Sequence, residues 1–277
     1  MKRGIRVIKM SGAGNDFVLF GPEESRRIAG RETEWARGVC RRGISVGADG
    51  ILLVDHAGPD RVRVRFHNPD GSAAFCGNGS RCAARFAHAT GLAGSPMQLE
   101  TAIGEVRAEV VADRVELTLR PPVDGGALAL EVAGVVLSGR RVDAGVPHFV
   151  VLVQDPRACP LELWGAAARR HASFGAEGTN VDLAGWTPEG LLALRTWERG
   201  VERETLACGS GALAAALVAR LSGAGERIRV LPASGSALDV TLPGRPTGPD
   251  AAVLAGDARF VFDGWLAAEA MPETAAG

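Results

Sequence analysis

A chain of 277 residues, 46% hydrophobic and 23% charged, carries enough apolar material for one large domain or two ordinary ones. Its net charge of −1 argues against a general nucleic-acid binder, and no apolar run reaches the length that spans a bilayer. The N-terminal stretch MKRGIRVIKM is basic but lacks the apolar core and cleavage site of a signal peptide, so a cytoplasmic protein is the default expectation.

In chain order, IRVIKM and DFVLF read as strands, and the mixed polar and apolar region 23–41 as a helix. ILLV (51–54) and RVRVRF (61–66) follow, the second alternating valine with arginine at the period of a half-buried strand. Residues 77–90 read as a helix, MQLETA, GEVRAEVV and RVELTLR as short strands, and 209–222 as another helix before a last strand-rich series after 225.

The halves repeat. Cys76-Gly77-Asn78-Gly79 matches Cys208-Gly209-Ser210-Gly211 at an offset of 132 (208 − 76), and Phe17 in DFVLF matches Phe149 in HFVVL at the same offset. RFHN (65–68) parallels TWER (196–199) at 131. The chain therefore reads as two copies of one α/β unit, with RPPVDGG (120–126) as the linker. The repeats take residues 1–122 and 123–258.

Five cysteines, Cys40, Cys76, Cys82, Cys159 and Cys208, form no C-x-x-C pair, which argues against a disulfide framework and a structural zinc site. Lysine occurs only at positions 2 and 9, so a Schiff base to pyridoxal phosphate is not expected. No metal or other cofactor is expected either.

Cys76 and Cys208 stand out because each precedes a helix start and a Gly-polar-Gly run. A helix N-terminus carries partial positive charge, which should lower a thiol's pKa, and its unpaired N–H groups suit a carboxylate. Cys82, inside a helix beside alanines, reads as core, and Cys40 and Cys159 have no supporting motif. Two thiols offered to one ligand suggest a redox dithiol, a metal site or proton transfer on two faces of one carbon. The missing C-x-x-C and the missing ligand spacing favour the third, in which a thiolate and a thiol exchange roles. Arg199 could clamp a carboxylate and Glu198 could accept from an ammonium, with Asn68 in the equivalent slot of the first copy. Asn15 in GAGNDF and Asn180 in GTNVDL lie in glycine-flanked loops, where asparagine also serves as a turn residue.

The segments KMSGAGNDFVLF, VGADGILLV, HNPDGSAAFCGNGSRCAARF, GVPHFVV, GTNVDL, WERGVERETLACGSGALAAA and DARFVFDGW run in order from residue 9 to 265 and resemble the diaminopimelate epimerase family. The resemblance implies two pseudo-symmetric α/β (α+β) domains, each a curved mixed or antiparallel sheet wrapped around a central helix, with the last strand, about 259–277, returning to the first. It implies interconversion of L,L- and meso-2,6-diaminoheptanedioate, in lysine and peptidoglycan-precursor biosynthesis. Cys76 and Cys208 become the acid–base pair, and Gly77, Asn78, Gly209 and Ser210 bind the reacting carboxylate through helix-start N–H groups. Asn15, Asn68, Asn180, Glu198 and Arg199 match substrate-binding positions, and His148, with Glu198, tunes the thiols. Partners are then a small amino-acid substrate and, as in many family members, a second copy of the chain, with no nucleic acid or membrane. Two positions depart from the usual pattern: Val146 stands where many members have Asn, and Gly50 where many have Gln. The alternatives are another two-cysteine racemase, of the proline or hydroxyproline type, and a non-catalytic ligand-binding or thiol redox-sensing protein.

Overall fold

A computed structural model describes residues 4–272. The chain divides into two compact units, one made of residues up to Leu117 together with those from Gly256 onward, the other of Thr118–Ala255.

The first unit opens with β1 (Arg6–Gly12), β2 (Asn15–Phe20), α1 (Pro22–Ile28), α2 (Glu32–Val39), β3 (Gly50–Gly58) and β4 (Arg61–His67). It continues through the two-residue β5 (Ala73–Ala74), α3 (Gly77–Ala89), β6 (Met97–Thr101), β7 (Gly104–Val111) and the start of β8 (Arg114–Leu119). β1 and β2 form an antiparallel hairpin, β2 runs parallel to β3, β3 antiparallel to β4, β4 parallel to β6, and β6 antiparallel to β7. The alternation in RVRVRF works as read: Val62, Val64 and Phe66 are buried and Arg63 is exposed. One face of the sheet holds α3, which packs against β1, β2, β3, β4, β6 and β7. On the other, Val18, Phe20, Ile51 and Leu53 pack with Ile28 of α1 and Trp35 and Val39 of α2.

The second unit repeats the plan. It contains β9 (Val123–Val132), β10 (Val135–Asp143), β11 (Pro147–Leu152), α4 (Leu161–Arg169), β12 (Asn180–Trp186), β13 (Leu192–Glu198) and β14 (Arg203–Thr205). Then come α5 (Gly209–Leu221), β15 (Arg227–Pro232), β16 (Leu238–Thr241), the small hairpin β17 (Gly244–Arg245) and β18 (Gly248–Pro249), and β19 (Ala252–Asp257). β10 is antiparallel to β11, β11 parallel to β12, β12 antiparallel to β13, β13 parallel to β15 and β15 antiparallel to β16, the same order of senses as in the first unit. α5 packs against β10, β11, β12, β13, β15 and β16. Every residue from Gly211 to Arg220 is buried, so this helix is enclosed on all sides. Its alanines let the strands approach closely.

The last strand, β20 (Arg259–Trp265), pairs antiparallel with β1. The chain then makes a short turn at Ala268–Ala270, and Ala270 and Met271 rest on the outer core of the first unit. Residues 273–277, part of the segment assigned to the first repeat, lie outside the described residues. No helix among the described residues is long and apolar enough to cross a membrane.

Three local expectations need correction. Region 23–41 is two short helices rather than one, broken where Gly30 takes φ +79°. The linker is shorter than RPPVDGG, because Val123–Gly126 already belongs to β9, with Val123 opposite Asp143. The two prolines cannot donate to a ladder, whereas the four residues after them can. Finally, His67 lies opposite Ile51 and Thr196 opposite Asp182, so β4 and β13 correspond at an offset of 129 (196 − 67) rather than 131.

Candidate active site

Cys76 and Cys208 are the N-cap residues of α3 and α5, in nearly identical extended backbone (φ −137°, ψ 112° and φ −124°, ψ 113°). Each Sγ accepts from the N–H three residues on, Gly79 N and Gly211 N, both at 3.4 Å. The first intrahelical bonds run from Ser80 N to Cys76 O and from Ala212 N to Cys208 O. The N–H groups of Gly77, Asn78, Gly209 and Ser210 therefore precede the helical ladder and suit an anion. Gly79 and Gly211 serve a different purpose. A Cβ at 211 would meet Asp182 Oδ1 at 2.8 Å and Thr196 Oγ1 at 3.0 Å, and one at 79 would meet Leu52 Cδ2 at 3.0 Å. These glycines bring the helix against the protein's own sheet.

In the first unit, Asn15 follows a two-residue hairpin turn whose Ala13 and Gly14 both take positive φ, +53° and +98°. Asp257 Oδ1 accepts from Ala13 N at 2.9 Å and holds that turn. Asn78, buried in the first turn of α3, donates through Nδ2 to Asn15 Oδ1 at 2.6 Å and accepts through Oδ1 from Arg81 at 2.8 Å. Asn15 Nδ2 donates to Asp49 Oδ2 at 3.0 Å. Arg81 is completely buried. Burial depresses its basicity, while the Cys82 and Cys76 sulfurs, when charged, favour its cationic form. Asn68 stays in the β4–β5 turn, where its Nδ2 donates to Ser72 Oγ at 3.0 Å.

The second unit surrounds its thiol differently. His148 Nδ1 faces Asp182 Oδ2 at 2.6 Å, and Asp182 Oδ1 accepts from Thr196 Oγ1 at 2.6 Å, all three residues being buried. The Asn180 amide is oriented by Arg199 N, which donates to its Oδ1 at 2.7 Å, so its Nδ2 points at His148 Nε2 at 3.2 Å. This geometry calls for an imidazole with hydrogen on Nδ1 and a lone pair on Nε2. Ser210 Oγ lies 2.9 Å from that Nε2 and 3.3 Å from Cys208 Sγ. A continuous path therefore runs from Cys208 through Ser210 and His148 to Asp182.

Burial pushes the Cys208 thiol well above its ordinary range, and the Glu198 and Asp182 carboxylates add to the rise. The Ser210 hydroxyl and Gly211 N–H oppose them without winning. The expectation that a helix start makes this thiol readily ionisable is therefore corrected: in the free protein Cys208 is held as a thiol. Burial likewise pushes Cys82 and Cys40 up to about 12. Arg199 spends its guanidinium on Glu177, with Nη1 3.2 Å from Oε2. Among the described residues, no group of three His, Cys, Asp or Glu side chains could hold a metal ion.

Asp182, Thr196, Arg81 and Asp49 carry no role that the sequence singles out. The one signal for Asp182 is a carboxylate between Val181 and Leu183 in the strand NVDLAGW. Gly50 is explained by its neighbour: a Cβ there would lie 2.2 Å from Phe66 Cε2 and 2.7 Å from His67 O. A glutamine at 50 is incompatible with this placement of Phe66. Val146 is half-buried just before His148, and its carbonyl accepts from Ala144 N.

The diaminopimelate epimerase family model matches residues 7–121 and 140–261. A diaminopimelate epimerase of Aquifex aeolicus is 37% identical over 95% of this chain and 98% of its own length, and one of Archaeoglobus fulgidus is 38% identical over 95% and 96%. Among solved structures, a phenazine biosynthesis protein of Bacillus anthracis superposes with a TM-score of 0.74 at 14% identity, covering 95% of this chain and 98% of that one. A hydroxyproline epimerase of Agrobacterium vitis superposes at 0.67 and 19%, covering 97% and 94%. At such identities these two structures speak for the fold alone, a mixed α+β architecture. The full-length relatives and the family match place the sequence itself: the chain belongs to the diaminopimelate epimerase family.

Proposed function

We propose that this chain interconverts L,L- and meso-2,6-diaminoheptanedioate without a cofactor, as a two-thiol isomerase. The observation that carries the reading is the matched pair of N-cap thiols, Cys76 and Cys208, in a member of this family.

The α-proton of an amino acid is a poor acid, and removing it puts negative charge onto the carboxylate. N–H groups of Gly77, Asn78, Gly209 and Ser210, fixed at helix starts, stabilise that charge as it develops. Cys76 takes the proton from one face and Cys208, held as a thiol, delivers one to the other. In the reverse direction Cys208 is the base. Its own proton first passes to Ser210, whose hydroxyl proton moves to His148 Nε2, where Asp182 steadies the imidazolium, while Cys76 takes a proton from water and becomes the acid. Asn15, Asn68, Asn180, Glu198 and Arg199 bind the rest of the substrate, Arg199 exchanging Glu177 for a carboxylate. Glu198 also tunes Cys208 through its charge.

The chain is read as two repeats of one unit, with β20 returning to the first, working in the cytoplasm. A homodimer is supported by the exposed Phe260, Val261, Phe262 and Trp265 of β20. Light scattering of the protein and of Phe262→Ser tests this, a monomeric parent counting against it.

Incubation with L,L-diaminopimelate in heavy water tests the function. The expected result is meso product carrying α-deuterium, with Cys76→Ala and Cys208→Ala both inactive. Full activity in either variant would end the two-thiol mechanism, and turnover of proline instead would reassign the substrate.

A further inference from the structure

The amides of Asn15 and Asn78 are links in a chain whose two ends are chemically one-way. At one end stands Arg81, whose guanidinium can only donate. It is completely buried, bonding the Asp257 carbonyl through Nε and Asn78 Oδ1 at 2.8 Å, with its Nη1 left without a partner among the described residues. At the other end the Asp49 carboxylate accepts from Asn15 Nδ2 at 3.0 Å and from Asp16 N at 3.2 Å. Between them Asn78 Nδ2 donates to Asn15 Oδ1 at 2.6 Å.

An asparagine amide flips with little change of shape, and alone neither residue has a preferred face. Here a flip of Asn78 would set its NH2 against the Arg81 guanidinium. A flip of Asn15 would set its oxygen against the Asp49 carboxylate and its NH2 against that of Asn78. One donor-only end and one acceptor-only end leave a single arrangement of four groups.

We infer that Arg81 and Asp49 are positioning residues for substrate binding: they lock both amides so that the remaining N–H of each Nδ2 is presented in a fixed direction. This rests on the epimerase reading of the site. It makes Asp49, which touches no reacting atom, a determinant of substrate affinity.

Asp49→Asn tests it, because an amide at 49 can offer either face and the chain loses its polarity. Steady-state kinetics with L,L-diaminopimelate should show KM raised about tenfold with kcat changed less than about threefold. Arg42→Gln is the control: Arg42 forms an ion pair with Asp49, is 60% exposed, and lies outside the amide chain, so its KM should stay within about twofold. The double variant Asn15→Asp/Asp49→Asn restores the bond between residues 15 and 49 in reversed sense and keeps Asn78 Nδ2 donating to residue 15, yet removes the Asn15 N–H donor. It should recover any melting temperature lost in the single variant while KM stays high. A KM for Asp49→Asn within about twofold of the parent, an equal rise in Arg42→Gln, or recovery of KM in the double variant would overturn the inference. Activity of the parent protein judges the epimerase reading separately.

Discussion

The two thiol sites share a backbone and differ in almost everything around it. Both cysteines cap a buried helix in nearly the same extended backbone and with the same Sγ to N–H contact. At the position 132 residues after the buried Arg81 stands Leu213, equally buried and without charge. The strand pairs Phe17–Gly50 and Phe149–Val181 make Asp182 the counterpart of Ile51. So the first unit sets a buried cation near its thiol, and the second sets a buried carboxylate and an imidazole. The backbone supplies the same kind of helix start twice; the side chains behind it differ in charge and in hydrogen-bond partners.

The largest effect should come from breaking what the second unit alone possesses. Asp182→Asn turns an acceptor toward His148 Nδ1 into a group that can donate, which favours the other tautomer and puts hydrogen on Nε2 facing Asn180. We expect kcat to fall by about 10² to 10³ in steady-state assays of both directions. Asp182→Ala should in addition cost about 1–3 kcal/mol in denaturant unfolding, because His148 and Thr196 lose a buried partner.

The paired glycines sharpen the comparison. Gly211→Ala pushes a methyl toward Asp182 and Thr196, both buried and hydrogen-bonded, and should cost about 1–3 kcal/mol with a loss of activity. Gly79→Ala meets Leu52 Cδ2 at 3.0 Å, the end of one apolar side chain rather than a buried hydrogen-bonded pair, and should cost less than Gly211→Ala. Equal costs would mean that the two helix starts are backed alike.

The last prediction concerns alkaline pH, where the effect is small just above pH 9 and grows toward pH 12. Cys40 and Cys82 have folded-state pKa values raised to about 12 from an ordinary 9.0, and Cys208 is also raised. Below pH 9 these thiols are protonated in both states and their contribution is fully present. As pH rises from 9 toward 12 the unfolded chain releases their protons first, and stability is lost. Two lysines and no tyrosine leave few other groups titrating there. Melting temperature should therefore fall from pH 9 upward, with a shallower slope in Cys82→Ala. An unchanged slope would count against it.

Much of this was legible in the residues. The strands, both central helices and the capping thiols depend on local pattern, and the repeat preserved it twice. Region 23–41 reads as one helix although a single glycine divides it, and RPPVDGG reads as a linker although a strand begins right after its two prolines. Asp182, Thr196 and His148 were harder. They come from three strands, 14 and 34 residues apart, and nothing in one strand tells what its neighbour carries. Arg81, between Ser80 and Cys82, carries no motif of its own in the sequence, and only the enclosing sheet makes it a buried cation.

What the amino-acid order determined by itself is where helices begin, which residues cap them and that the chain says this twice, because capping and periodicity act over a few residues. Only the tertiary structure decided how tightly Cys208 holds its proton and which way each amide points. Burial, through-space charge and the sense of a hydrogen-bond chain come from residues that the sequence keeps far apart.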